Sequence, residues 1–201
     1  MKYPLSIQNL IEELSKLPTV GPKTAERYVF YLLKRPEEEL QRIARAVAGL
    51  KSNLTVCGEC FDISEQSPCP VCADPKRARD VICVVADSRN LIAVEKTRQY
   101  NGLYYVIGGE INTIEGIGPE NLNTGRLIER IKNNNIKEII LALNPTLEGE
   151  TTSMYLTRLI KTINPNIKIT RLAKGLPMGA DLEYADEITI SNALKYRTNI
   201  T

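Results

Sequence analysis

Residues 55–77 read TVCGECFDISEQSPCPVCADPKR and contain four of the chain's five cysteines, arranged as two CxxC pairs. A CxxC turn places two sulfurs on one side of the backbone, and two such turns can complete a tetrahedral metal site. The stretch therefore predicts a small metal-stabilised module that separates the part of the chain before it from the part after it.

The four cysteines of this stretch are predicted to bind structural Zn²⁺ or a similar metal. The predicted ligands are Cys57, Cys60, Cys69 and Cys72. The first residues carry acidic side chains by Glu12 and do not resemble a signal peptide, so we expect a cytoplasmic protein in which thiols stay reduced. Metal ligands are then favoured over disulfides, and two matched pairs favour one metal over a redox dithiol. Four thiolates saturate the ion and leave no position for a substrate, which favours a structural role.

The composition is that of a globular protein, with 43% hydrophobic and 25% charged residues in a chain of 201. This length allows one or two domains with a hydrophobic core. No apolar run approaches the roughly 18 residues that a membrane span needs. We therefore expect no membrane association.

The net charge is only +2, but it is unevenly distributed. Residues 1–53 carry nine Lys and Arg against six Asp and Glu, whereas residues 54–80 carry three against five. Residues 81–201 carry fourteen against thirteen. Binding to nucleic acid would therefore depend on a local basic patch, or on several copies of a modest patch brought together by oligomerisation.

Upstream of the cysteines, helical periodicity predicts helices at about 6–17 and 23–34 and a third helix opening at Pro36. The segment PTVGP at 18–22 must break the first helix, because Pro and Gly favour a tight turn. Residues 1–53 are therefore predicted to form a helical region.

The stretch LSKLPTVGPKTAERYVFYLL resembles the helix–hairpin–helix motif, although Thr19 stands where the motif has its first glycine. A tight turn before a helix leaves backbone N–H groups available to a DNA phosphate, whatever the base sequence. Lys23 and Arg27 lie four apart on one helical face. Gly21, Lys23 and Arg27 are the predicted DNA contacts. Taken alone, the hairpin is equally compatible with a helical turn that carries solvated basic residues.

Downstream of the cysteines, apolar runs alternate with helical patterns, which is typical of a mostly parallel α/β sheet. The predicted strands are 81–86, 103–108, 138–143, 167–173 and 187–190, and the predicted helices are 88–99, 121–134 and 150–163. The predicted fold class is therefore multidomain α + α/β. Its parts are a helix–hairpin–helix bundle at 1–53, a four-cysteine zinc knuckle at 54–80, an α/β domain at 81–173 and a C-terminal segment at 174–201.

The α/β part resembles a Toprim domain, in which a Glu after the first strand and a D-x-D after a later strand hold Mg²⁺. Here Ala86 stands where the Glu is expected, with Asp87 next to it, and Asn144 and Thr146 stand where the two aspartates are expected. Neutral side chains cannot supply the charge that binds Mg²⁺ tightly. The sequence therefore favours a degenerate, non-catalytic site, and the alternative is a Mg-dependent Toprim nuclease or primase-like enzyme. Asp87 and Glu148 could dock a basic partner, or could be solvated loop charges.

Residues 108–122, GGEINTIEGIGPENL, lack both the dinucleotide fingerprint and the P-loop Lys. Nucleotide binding is therefore not supported, and a long ordered loop of this kind is expected to form a partner or subunit surface.

The order of these modules and five phrases together resemble the RecR family of bacterial recombination mediators over essentially the whole chain. The phrases are LPTVGPKTAER, CGECFDISEQSPCPVC, GIGPENL, NPTLEGETTSMYL and GLPMGADLEYADE. The resemblance implies a non-enzymatic role in DNA repair and recombination, with RecO and in some settings RecF, in loading RecA onto single-stranded DNA. It implies dimers that pair into a ring-like homotetramer around DNA, in the bacterial cytoplasm and nucleoid. It assigns DNA contacts to Lys23 and Arg27, RecO binding to Glu148, and subunit contacts to 174–201.

Overall fold

The computed structural model describes residues 3–199, and the chain divides into two compact units between Asn53 and Leu54. The first unit contains three helices: α1 Leu5–Ser15, α2 Pro22–Leu32 and α3 Glu37–Ala48. Among its described residues only Ala25 and Val29 are buried. Three amphipathic helices with so few buried side chains leave much apolar surface exposed.

The second unit begins with the cysteine module and continues into an α/β sheet. The module consists of a short antiparallel pair, β1 Thr55–Val56 and β2 Ile63–Ser64, followed by α4 Pro70–Ala73. The remaining elements, in chain order, are β3 Ala78–Val85, α5 Ser88–Lys96, β4 Gly102–Val106, α6 Thr124–Asn133, β5 Glu138–Ala142, α7 Leu147–Ile163, β6 Lys168–Arg171 and α8 Glu187–Lys195. The four strands of the larger sheet are all parallel, as the alternating pattern predicts. They lie in the order β4-β3-β5-β6.

Alternate residues of β3 point to opposite faces of the sheet, and both faces are covered. Ile82 and Val84 belong to a cluster with residues of α6 and α7, whereas Cys83 and Val85 belong to a cluster with Leu91 of α5. A strand buried on both faces must be apolar at every position, which explains the run VICVVA. Cys83 is 1% exposed, and burial raises the pKa of its thiol to about 12, so it behaves as a small hydrophobe.

The prediction of a strand at 187–190 is wrong, because these residues open α8. The Asp186 carboxylate accepts hydrogen bonds from the backbone N–H and the hydroxyl of Thr189, which makes Asp186 an N-cap. The cap provides hydrogen-bond acceptors for the first turn of a helix. A four-residue alternation of apolar and polar side chains is too weak a preference for a strand to outweigh it. None of the helices in the described part of the chain has the length and apolarity that crossing a membrane requires.

Candidate functional site

The four sulfurs of the cysteine module converge on one point. All four residues are at most 2% exposed, and their Sγ atoms lie within 4.8 Å of one another. The Cys60 and Cys69 sulfurs are 3.6 Å apart. A Zn–S bond of about 2.3 Å in a tetrahedron separates neighbouring sulfurs by about 3.8 Å, so the cluster fits such an ion. Among residues 3–199 these cysteines form the one group of three or more Cys, Asp or Glu side chains close enough to share a metal.

Backbone N–H groups of the second CxxC pair also point at sulfur. The Cys69 N–H donates to the Cys57 sulfur at 3.3 Å, and the Cys72 N–H donates to the Cys69 sulfur at 3.5 Å. Such bonds favour thiolate over thiol. Cys69 is the N-cap of α4, and Pro70 follows at the first helical position, where no N–H is needed.

The thiols of the cluster do not ionise alike. Interaction with the Cys72 thiol lowers the pKa of Cys60 to about 6 and raises the pKa of Cys72. Burial raises the pKa of Cys69 to about 11. A bound divalent cation would supply the positive charge that lets the remaining thiols ionise.

The hairpin between α1 and α2 leaves backbone N–H groups and cations of the first unit exposed. Gly21 is the extended residue before α2, and a Cβ built on it would meet no atom within 4 Å. Within the described residues, no acceptor takes the backbone N–H of Gly21 or Lys23. Lys23 and Arg27 are both exposed and form no ion pair with any described residue. Thr19 has φ 66°, the left-handed conformation that a glycine would adopt without strain.

The carboxyl edge of the parallel sheet brings together the residues expected from the resemblance to a Toprim domain, but within residues 3–199 no cluster of three acids forms there. Ala86 is 5% exposed at the end of β3. Asp87 caps α5 by accepting from the backbone N–H groups of Arg89 and Asn90. Burial opposes its ionisation, but hydrogen bonds from these two residues hold the pKa of Asp87 below its usual value. The carboxylate of Asp87 is therefore engaged in its own helix start.

Glu148 and Glu150 lie in the first turn of α7, which Thr146 caps through the Gly149 N–H. Glu150 pairs with Lys174 at 2.5 Å and with Arg171 at 3.1 Å, and these cations lower its pKa. The Glu148 carboxylate makes no hydrogen bond or ion pair with the described residues. It is the acid of this turn that stays available to a partner.

Sequence reasoning missed Glu110, which lies in the loop after β4 and reaches the end of β5. Its carboxylate accepts from the Asn144 backbone N–H at 2.8 Å and from the Asn144 amide at 3.2 Å. The two residues are 34 positions apart, and no local pattern links them. An acid that follows two glycines after a strand was the only available signal.

Sequence reasoning also missed two arginines of α6 that hold the cysteine module. Arg126 donates to the Gly58 carbonyl at 2.7 Å, and Arg130 donates to the carbonyls of Glu59 and Tyr104 at 3.3 and 3.2 Å. The module therefore belongs structurally to the second unit.

Family comparisons match three segments of the chain. Residues 7–50 match the model described as RecR, helix-hairpin-helix; residues 80–173 match the Toprim domain; and residues 175–198 match RecR, C-terminal. These segments agree with the hairpin helices and the parallel sheet described above.

Similar curated proteins include two named Recombination protein RecR, from Staphylococcus saprophyticus subsp. saprophyticus and from Staphylococcus aureus strain Newman. Each is 50% identical to this chain over 200 residues, which covers 100% of both sequences. The similarity extends through the cysteine module, which lies between the segments matched by the family models.

Proposed function

The chain belongs to the RecR family of recombination proteins, and we propose that it is a non-enzymatic mediator of DNA repair that binds DNA without reading its sequence. The observation that carries the proposal is the hairpin, where the backbone N–H groups of Gly21 and Lys23 have no acceptor among the described residues at the start of α2. Lys23 and Arg27 are exposed and lie four positions apart on that helix. A phosphate is the group that such a site recognises. Phosphates carry no base information, so sequence independence follows.

Oligomerisation would bring together several copies of the modest basic patch that a single chain carries. An open groove of about 790 Å³ runs along the three helices of the first unit and is lined by apolar side chains such as Leu10, Leu14, Ile43 and Val47. In the C-terminal segment Met178, Tyr184 and Ile188 are more than 70% exposed. Exposed apolar surface of this kind favours association. We propose that copies of the chain cover it in a dimer or a ring-like tetramer that brings several hairpins together.

The proposed partners are RecO and, in some settings, RecF, with RecA loaded onto single-stranded DNA as the outcome. Support comes from family membership and from Glu148, whose carboxylate is available to a basic partner. Asp87 is a weaker candidate because its carboxylate already caps α5. A cytoplasmic, nucleoid-associated location follows from the proposed role.

The proposal that the protein is not an enzyme is supported by the carboxyl edge of its sheet. Ala86, Asn144 and Thr146 carry no charge, and the Glu110 carboxylate that reaches Asn144 accepts N–H bonds from it. N–H donors directed at Glu110 repel a cation, so this is a poor Mg²⁺ site. Strand cleavage in Mg²⁺ or Mn²⁺ that disappears in Glu148→Ala would establish the enzymatic alternative.

Zn²⁺ is the proposed metal of the cysteine cluster. Four thiolates in a closed tetrahedron suit Zn²⁺, and the spacing of the sulfurs fits its bond length. Iron also accepts four thiolates. Elemental analysis of the purified protein distinguishes the two.

The test of DNA binding compares Lys23→Ala and Arg27→Ala with Lys132→Ala, an exposed lysine of α6 whose loss changes the net charge equally. Affinity for single-stranded DNA is measured over a series of salt concentrations. Each lost phosphate contact should lower the salt slope by about 0.7, and the change should be the same for DNAs of different sequence. If the hairpin variants behave like Lys132→Ala, the hairpin is not the DNA site.

A further inference from the structure

The first CxxC turn is held to the α/β domain by three consecutive carbonyl groups. The carbonyl of Gly58 accepts from Arg126, that of Glu59 accepts from Arg130, and that of Cys60 accepts from the Val106 N–H at 2.8 Å. A turn whose successive carbonyls are all engaged has little freedom to rotate. The positions of the Cys57 and Cys60 sulfurs therefore depend on groups outside the cysteine module.

The same contacts close the outer edge of the sheet. Within the described part of the chain β4 pairs with β3 alone, so its outer N–H and C=O groups need other partners. The Val106 N–H donates to the Cys60 carbonyl, and the Tyr104 carbonyl accepts from Arg130. Arg130 therefore bridges the metal turn and the strand edge with one guanidinium, whose several N–H groups make this possible.

Phe61 directly follows the first CxxC turn and sets the direction in which the backbone leaves it. It has φ 62°, an unfavourable conformation for a non-glycine residue. Its ring lies 5.6 Å from the Tyr105 ring, and the Arg126 guanidinium lies 5.5 Å above it. The Phe61 N–H also donates to the Cys57 carbonyl at 2.9 Å. The strained residue is therefore held by packing against the sheet, with Arg126 contacting both its ring and the turn before it.

We propose that Arg126 and Arg130 are positioning residues of the metal site, which hold the first CxxC turn in the geometry that the ion requires. The affinity for the metal is then coupled to α6, although neither arginine touches a sulfur. Outer partners that orient metal ligands typically contribute 10- to 100-fold to metal affinity. By linkage, the metal must strengthen the attachment of the turn to the sheet by the same factor.

The two arginines can be truncated without leaving a closed void. They line an open polar cavity of about 680 Å³ together with Gly58 and Asn133. Loss of their contacts should therefore weaken metal binding more than it disturbs the packing of the hydrophobic core. Lys132 lies on the same helix, is exposed and provides the matched control.

The experiment uses the full chain loaded with Zn²⁺ and a chromophoric chelator that competes for the ion. Arg126→Ala and Arg130→Ala should each bind Zn²⁺ at least about 10-fold more weakly than the parent, whereas Lys132→Ala should match the parent. Arg130→Lys keeps the positive charge but loses the planar guanidinium with its several N–H donors. Its affinity for Zn²⁺ should therefore lie between those of Arg130→Ala and the parent. Zinc affinities within about twofold of the parent for both alanine variants would overturn the proposal.

Two further readouts separate positioning from general destabilisation. With Co²⁺ in place of Zn²⁺, the visible absorption of the thiolate site should shift in Arg130→Ala and stay unchanged in Lys132→Ala. Melting temperatures are compared with and without metal, and Arg130→Ala should lower that of the metal-loaded protein more than that of the metal-free protein. Equal losses in both forms, with an unshifted Co²⁺ spectrum, would show a structural role only.

Discussion

Gly149 allows the end of β5 to lie directly against the start of α7, and replacing it with alanine tests that packing. A Cβ at Gly149 would lie 2.0 Å from the backbone oxygen of Asn144 and 3.1 Å from Glu110 Oε1. The first contact is with backbone, so no side-chain rotation can relieve it. The loop and the helix would have to separate by on the order of 1 Å.

The expected cost of Gly149→Ala is about 3 kcal/mol, the upper end of the usual range for overpacking that forces the backbone to shift. For a protein of this size that lowers the melting temperature by about 6–12 °C. The shift should also break the contact between Glu110 and Asn144, so the Asn144 amide should exchange faster with deuterium. Thermal unfolding followed by circular dichroism, with hydrogen exchange alongside, measures both effects.

Gly125→Ala is the matched control, because it makes the same chemical change in another helix of the same unit. Gly125 lies in α6, where an added Cβ would meet no atom within 4 Å. Alanine there should raise stability by about 0.5–1 kcal/mol through helix propensity. If Gly149→Ala melts within about 2 °C of the parent, the close approach of loop and helix is not real.

Three other changes test separate parts of the molecule. Cys69→Ser should lose bound metal and more than about 4 kcal/mol of stability, and a variant that keeps both would contradict a structural metal site. Thr19→Gly should raise the melting temperature of the first unit, since it relieves a left-handed residue that costs roughly 1 kcal/mol. A lower melting temperature would mean that the Thr19 hydroxyl stabilises the hairpin by more than the backbone strain costs. Arg77 holds the pKa of Glu95 below its usual value, so this pair stabilises the fold above about pH 4.3 and loses that contribution in acid. The gap in melting temperature between the parent and Glu95→Gln should therefore narrow as the pH falls below that value, and a constant gap would rule out the ion pair.

Local patterns predicted most of the fold, because its elements are specified by nearby residues. The CxxC spacing predicted the sulfur cluster, and the run VICVVA predicted a strand buried on both faces. The segment EITI was misassigned because the Asp186 cap outweighs a short apolar alternation. Arg126 and Gly58 are 68 positions apart, and a contact of that length has no signature in a single sequence. The groups that secure the candidate site were therefore the ones that sequence reasoning missed.

Because each chain carries few cations at its hairpin, the salt dependence of DNA affinity should report how many hairpins contact one DNA molecule. One copy offers Lys23 and Arg27, two exposed cations that could each neutralise a phosphate. At about 0.7 per phosphate on single strands, one copy gives a salt slope of about 1.4, and four copies in a ring give about 5.6. A slope near the larger value, lost when both residues are replaced by alanine, requires hairpins from several copies to contact the same strand. A slope near the smaller value from a protein that is tetrameric by light scattering would mean that the hairpins of the ring do not all contact the DNA. The proposal of a ring around DNA would then be wrong, even if each hairpin binds phosphate.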